Sequence, residues 1–148
     1  MSAEPLYLIG AVAGRGVAID SAPVDSVIDI TAIQPVPGAS PGILGLAALR
    51  SRVLTVVDCA LALGLEPCGR PEGAALPAIV LEIDSYLYGL VIDFIDDVVT
   101  ADGPMVPAGA PLGGPWSAVS AGIIEVGGSA LVVLDPGAIL AAMQARAA

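Results

Sequence analysis

The segment GILGLAALRSRVLTVVDCALALG, Gly42 to Gly64, is almost entirely apolar but contains two arginines and an aspartate. Arg50 and Arg52 lie two positions apart in its middle, and Asp58 lies near its end. A buried strand does not readily accommodate arginine, and a membrane-spanning helix tolerates none of these charges. The pattern predicts two strands that meet at a turn around Arg50, followed by a helix after Asp58.

The overall composition favours one domain with a core of small and branched side chains. Of the 148 residues, 56% are hydrophobic but only 3% are aromatic, and there are 18 glycines and 13 prolines. Short strands joined by tight turns suit this composition. Prolines interrupt the longest uncharged stretches, and the first residues, which include Glu4, lack the positive charge of a signal peptide. We expect a single cytoplasmic domain over residues 1–148, without membrane insertion.

The charge balance and the missing histidines exclude several classes of function. The net charge is −10, with 15 acidic and five basic residues and no histidine. Binding to nucleic acid or to an anionic membrane needs cations, so neither partner is expected. Cys59 and Cys68 lack the spacing of a metal site. Cys59 is predicted to be a core residue, and Cys68 is predicted to lie in a polar loop. The sequence therefore predicts no catalytic residue, no cofactor and no metal ion.

Ten strand-like runs at short spacing predict a mainly β protein built from closed barrels. Turn residues such as Gly14 and the pair Gly127-Gly128 separate neighbouring runs, as in hairpins. The runs cover residues 6–12, 16–20, 26–33, 43–49, 53–57, 79–83, 88–92, 97–100, 122–126 and 130–134.

The chain also contains an internal repeat. Residues 45–63 match residues 122–140 without a gap, with five identities and mostly apolar pairs otherwise. Upstream, three residues within 16–20 recur in the same order within 89–93. Two matched blocks in collinear order favour a duplication over a chance likeness of apolar segments. We therefore expect two pseudo-repeats, at about residues 6–65 and 78–141.

The repeat assigns roles to the aspartates and to one arginine. Asp58 matches Asp135, and each ends a strand before an Ala/Leu-rich stretch of helical pattern. An aspartate there predicts a helix N-cap, and Pro136 suits the first helical position. Arg50 matches Gly127 in a two-residue hairpin tip. It is therefore predicted to reach solvent or a partner, unless it forms an ion pair with one of the many carboxylates.

Five motifs in order give the chain a family resemblance. The turn at residues 48–51 and the strand VLTVVD resemble the N-L-R-G turn and V-I-P-V-I-D-L strand of CheW-type chemotaxis coupling proteins. Residues 17–40 are similar to that family's strand, short helix and P-V-P-G loop. Residues 88–99 and 122–140 are similar to its later G-L-x-V-D-x-V element and closing hairpin. The resemblance covers roughly residues 6–141.

The resemblance implies a fold and a function. The fold would be two five-stranded β-barrel subdomains on a shared hydrophobic core, with short helices and a C-terminal helix. The function would be that of a non-enzymatic adaptor, which joins the regulatory domain of a CheA-type histidine kinase to the cytoplasmic tip of a chemoreceptor. The partner contacts implied for this chain are made by Arg50, Gly45, Leu49, Val24, Val27 and Ile28. The four apolar side chains among them would line a groove between the subdomains, although Val27 is equally well explained as core.

Three residues depart from the family pattern. Ser51 replaces the glycine of the turn, Ala48 replaces its asparagine, and Ser26 stands where an acidic residue is common. These differences put the usual partner contacts in question without disturbing the fold. The alternative within binding proteins is a CheW-like module of a different signalling kinase system.

An enzyme is the alternative from another functional class. It would rest on Asp58, Asp93, Asp96 and Asp97 forming an acidic Mg²⁺ site. Against this, Asp96 and Asp97 also fit a solvated turn or the start of a helix.

Overall fold

The computed structural model describes residues 5–67, 73–108 and 112–147, so Cys68 lies outside the described residues. Each of the ten predicted runs corresponds to one strand, which confirms a mainly β fold. The strands are β1 (Leu6–Val12), β2 (Arg15–Asp20), β3 (Val24–Ile30), β4 (Ile43–Leu49), β5 (Arg52–Asp58), β6 (Leu76–Ile83), β7 (Tyr86–Val91), β8 (Phe94–Thr100), β9 (Ser120–Val126) and β10 (Ser129–Leu134). The helices are α1 (Cys59–Ala62), α2 (Trp116–Val119) and the C-terminal α3 (Pro136–Ala147). They agree with the expected short helices and C-terminal helix.

The strands form two five-stranded sheets with the same topology. The first sheet has the order β8-β1-β2-β10-β9 and the second has the order β3-β6-β7-β5-β4. Replacing every strand by its counterpart in the other repeat converts one order into the other. Each sheet therefore combines strands from both halves of the chain. Within each sheet the halves meet at a parallel pair, β2–β10 or β5–β7, and at an antiparallel pair, β1–β8 or β3–β6.

The prediction of closed barrels is wrong, because neither strand ladder closes. A single isolated bridge spans each gap, between Gln34 and Leu46 in the second sheet and between Val106 and Ile123 in the first. Proline has no N–H donor and cannot extend a ladder from its nitrogen. The segments that would have to close the ladders contain Pro35, Pro37, Pro104 and Pro107.

Apolar side chains fill three layers. One cluster lies between the sheets and includes Val17 and Ile19 of β2 together with Leu90 of β7. A second cluster fills the inside of the second sheet around Leu54, and a third fills the inside of the first sheet around Leu131. Alternate side chains of a strand point to opposite faces, so central strands such as β2 contribute to two layers.

Equivalent glycines in the two sheets contact equivalent leucines. A Cβ atom added to Gly16 would lie 2.8 Å from Leu131, and one added to Gly89 would lie 2.9 Å from Leu54. Both contacts lie at the parallel strand pairs, where a larger side chain has no room. This correspondence supports the proposal of a duplication, although the repeats interleave their strands and do not fold side by side.

Two local expectations are corrected. The short helix implied near Val24 is absent, because this residue begins strand β3, which pairs along β6. The alternating burial of β3 fits its branched side chains. Asp96 and Asp97 lie within β8 and not in a turn or helix start. The pairing of β8 with β1 shifts its register beside them, which places both carboxylates at the surface.

The aspartates at the strand ends hydrogen-bond to the helices that follow. The Asp58 carboxylate accepts hydrogen bonds from the backbone N–H groups of Ala60 and Leu61, at 2.9 and 3.2 Å, and is buried. The Asp135 carboxylate accepts one from Ala138 at 3.2 Å and is exposed. Both therefore cap their helices, but Asp58 does so within the core.

We expect Asp58→Ala to lower the free energy of unfolding by about 1–2 kcal/mol, because it leaves buried N–H donors of α1 unpaired. Asp135→Ala, the matched control, should cost less than about 1 kcal/mol because water can replace the exposed carboxylate. Chemical denaturation of both variants measures the difference. Equal losses would contradict the distinction between the two caps.

Gly45 and Gly122 occupy equivalent positions beneath the bridging segments. Their φ angles are 148° and 155°, a region that favours glycine. A Cβ at Gly45 would overlap the Gln34 carbonyl, and one at Gly122 would lie 2.9 Å from the Val106 carbonyl oxygen. Both glycines thus allow a backbone to cross directly over the edge strand.

Gly45→Ala should lower the free energy of unfolding by roughly 3 kcal/mol, because it adds a backbone clash to an unfavourable φ. Gly38→Ala is the control, since Gly38 also has positive φ, at 76°, but faces open space. It should cost only about 1 kcal/mol. Thermal melts compare the two, and a stable Gly45→Ala variant would show that the crossing segment can move aside.

Candidate interaction surface

Two of the predicted contact residues face each other across the second sheet. Ile28 lies in β3 and Leu49 in β4, the opposite edges of that sheet, and both pack against its inner cluster. Because the ladder is open, a groove of about 390 Å³ separates these edges, and both side chains line it. The structure therefore brings Ile28 and Leu49 together.

Val24 and Val27 lie on the opposite face of β3. Val24 packs against the core between the sheets, and Val27 is paired with Ile79, whose side chain belongs to that core. Val27 is nevertheless 45% exposed. The four apolar residues thus form two sets on different faces and do not line one common groove.

Arg50 is at the tip of the β4–β5 hairpin. It is exposed and has a φ of 57°, whereas Ser51 does not have positive φ. At the equivalent tip both Gly127 and Gly128 have positive φ, at 58° and 82°. The two tips therefore adopt different turns. A non-glycine residue in this conformation costs about 1 kcal/mol, and Ala13, Asp84 and Ser85 also have positive φ.

The two arginines of the hairpin differ in their surroundings. The Arg52 guanidinium lies 3.7 Å from the Glu82 carboxylate, and both side chains are more than half exposed. Arg15, elsewhere, stacks over the Trp116 ring at 4.9 Å. Arg50 forms no ion pair with any residue that the structure describes. Its charge is therefore left available to a partner.

Residues of the two strands that meet at Arg50 line two grooves. A second groove of about 390 Å³ lies beside the first, between residues 32–34 and the β4–β5 hairpin. Val53 on its rim is 65% exposed. Together with Arg50 we call these two grooves the tip surface. Its apolar part is formed by Ile28, Ile30, Ala32, Ile33, Leu46, Ala47, Ala48, Leu49 and Val53.

The sequence analysis did not assign Val53 to this surface. Period-two alternation does carry the signal, since Val53 precedes the fully buried Leu54 and must point to the other face of β5. Alternation does not show how far along the strand each layer of the core extends. Only the structure shows that the core ends before Val53.

Two of the four acidic residues considered for a metal site stabilise the fold. Asp58 caps α1, and the Asp93 carboxylate accepts hydrogen bonds from the backbone N–H groups of Ala13 and Gly14 in the β1–β2 turn. Within residues 5–67, 73–108 and 112–147, no group of three or more potential ligands is arranged to hold a metal ion. In the same ranges, no helix has the length and apolarity required to cross a bilayer.

Comparison with known proteins identifies the fold and the family. The family model described as CheW-like domain matches residues 6–144. The crystal structure of scaffolding protein TtCheW from Thermoanaerobacter tengcongensis is similar, with a TM-score of 0.78 and 19% sequence identity. That similarity covers 92% of this chain and 87% of TtCheW, and at this identity it shows the fold alone. No curated protein matches the chain significantly in sequence. Since the family model spans nearly the whole chain, the chain belongs to the family of CheW-like domains.

Proposed function

We propose that this protein is a non-enzymatic adaptor of bacterial chemotaxis, which couples the cytoplasmic tip of chemoreceptors to the regulatory domain of a CheA-type histidine kinase. It would act in the cytoplasm, at receptor arrays on the inner membrane. The observation that carries the proposal is the match to the CheW-like family over residues 6–144. TtCheW, which shares the fold, is a scaffolding protein.

The division of the candidate contacts into two sets supports an adaptor. Such a protein must hold two partners at once, and this requires surfaces that do not overlap. We assign Arg50, Leu49 and Ile28 to one partner, at the tip surface. Val24 and Val27, on the opposite face of β3, are assigned to the other. Gly45 would support the first surface indirectly, because it is buried beneath the segment that borders the grooves.

A second candidate is a CheW-like module that serves a different signalling kinase. It is favoured by the positions of the family departures, since Ala48 lines the tip surface and Ser51 adjoins it. Ser26 lies in β3 between the two apolar sets. A partner that differs from the usual kinase would select different residues at these three positions.

Size-exclusion chromatography at micromolar concentration distinguishes these candidates. Co-elution of the chain with a CheA-type regulatory domain is the expected result. Failure to co-elute with that domain and with a receptor tip fragment would contradict coupling in chemotaxis and leave the second candidate.

We expect Arg50→Ala to weaken binding to the kinase domain or receptor by about 1–3 kcal/mol, the scale of an interface anchor. The melting temperature should stay within a few degrees, because an exposed turn arginine contributes little stability. Arg52→Ala is the matched control, since it removes a second cation from the same hairpin. It should leave binding nearly unchanged. Titration calorimetry and thermal melts provide both readouts.

Arg50→Gly separates the turn conformation from the side chain. Glycine relieves the cost of positive φ, so this variant should be at least as stable as the parent while binding as weakly as Arg50→Ala. Unchanged affinity in both Arg50 variants, or an equal loss in Arg52→Ala, would contradict a specific role for Arg50.

A further inference from the structure

The two sheets have equivalent gaps, and among the described residues only the first has a side chain that links the crossing segment to the hairpin tip. The segment after β8 carries Asp102, whose backbone N–H donates to the Glu125 carbonyl at 2.8 Å. Its carboxylate accepts a hydrogen bond from the Gly127 N–H at 2.9 Å, at the tip of the β9–β10 hairpin. Asp102 thereby joins the crossing segment to the hairpin tip through two hydrogen bonds.

The corresponding atoms of the second sheet are left without such a residue. Ala48 is the counterpart of Glu125, and Arg50 is the counterpart of Gly127. The backbone carbonyl and N–H of Leu46 both hydrogen-bond to Gln34, on the side of β4 away from β5. Backbone groups two residues apart in a strand point to the same side, so the carbonyl and N–H of Ala48 also point away from β5. The φ angles of Arg50 and Gly127 are 57° and 58°. Among the described residues, none hydrogen-bonds to the Ala48 carbonyl or the Arg50 N–H.

We infer that the tip surface binds an extended segment of a partner protein whose central residue carries a carboxylate and occupies the place that Asp102 takes in the first sheet. The backbone N–H of that residue donates to the Ala48 carbonyl, and its carboxylate accepts from the Arg50 N–H. Apolar residues on either side of it fill the grooves beside Ala47 and Val53. This inference rests on the proposed function and specifies the chemistry of one partner.

Charge complementarity favours an anionic segment at this surface. The chain has a net charge of −10 and only five cations, of which Arg50 and Arg52 belong to this hairpin. Arg52 already contacts Glu82, whereas Arg50 has no ion pair within the described residues. An acidic segment is therefore repelled by most of the protein, including Asp29 on the β3 edge of the first groove, and attracted at Arg50. This favours a position in which the carboxylate lies at the hairpin tip.

The segment around Asp102 itself provides a peptide probe. A synthetic peptide of residues 99–107, VTADGPMVP, contains Asp102 with its flanking residues. Titrated into the ¹⁵N-labelled full chain, it should shift the amide signals of Arg50 and its neighbours saturably. The same peptide with Asp102→Ala should bind at least tenfold more weakly, or about 1.4 kcal/mol. In the Arg50→Gly protein, which keeps the N–H and loses the guanidinium, the parent peptide should bind several-fold more weakly.

Equal binding of both peptides, or shifts confined to the Val24 and Val27 face, would overturn the inference. A concentration-dependent shift of Arg50 without peptide would also overturn it, because a second copy of the chain would then be the occupant. No kinase is present in this titration. A selective peptide response with failed co-elution therefore contradicts only the proposed function, and the reverse result contradicts only the inference.

Discussion

The backbone of the segment after β3 crosses directly over Gly45, and the rest of this sheet depends on that close approach. The crossing brings Gln34 to Leu46, where two hydrogen bonds of 2.8 Å join the opposite edges of the sheet. The prolines nearby prevent the ladder from continuing. The sheet is therefore held nearly closed at one point, while the edges beyond it stay apart. The grooves of the tip surface are the space that remains.

The duplication explains why this architecture occurs twice and why its two copies differ in one respect. Gly122 repeats the role of Gly45, and the bridge between Val106 and Ile123 repeats that between Gln34 and Leu46. In the first sheet Asp102 also satisfies the hairpin tip, and glycines form a tip free of strain. The second sheet has neither feature. Under the proposed function, binding of a partner at this tip would account for the departure at Arg50.

Much of the fold could be predicted from the sequence because it depends on local patterns. Alternation and turn residues located all ten strands, and the position of Asp58 before a helical pattern indicated its cap. The face of each residue in β3 could not be predicted. A register shift between Val24 and Ser26 lets Val24 and Ile28 face different layers. Such a bulge depends on how β3 pairs with β6, and the local sequence pattern of β3 does not contain that information. The interleaving of the repeats was likewise invisible, because a sequence match does not state which strands become neighbours.

In the proposed binding mode, the scarcity of cations would give the tip surface its specificity. In a protein with many exposed cations, one arginine at an apolar groove would be a weak determinant, since acidic partners would be attracted at several places. Here the net charge of −10 repels them over most of the surface, while Arg52 already contacts Glu82 and Arg15 stacks over Trp116. The apolar grooves supply area but little orientation, because burial is not directional. The unpaired backbone groups at Ala48 and Arg50 supply the orientation. A partner must then match charge, main-chain direction and shape together, and few segments meet all three conditions.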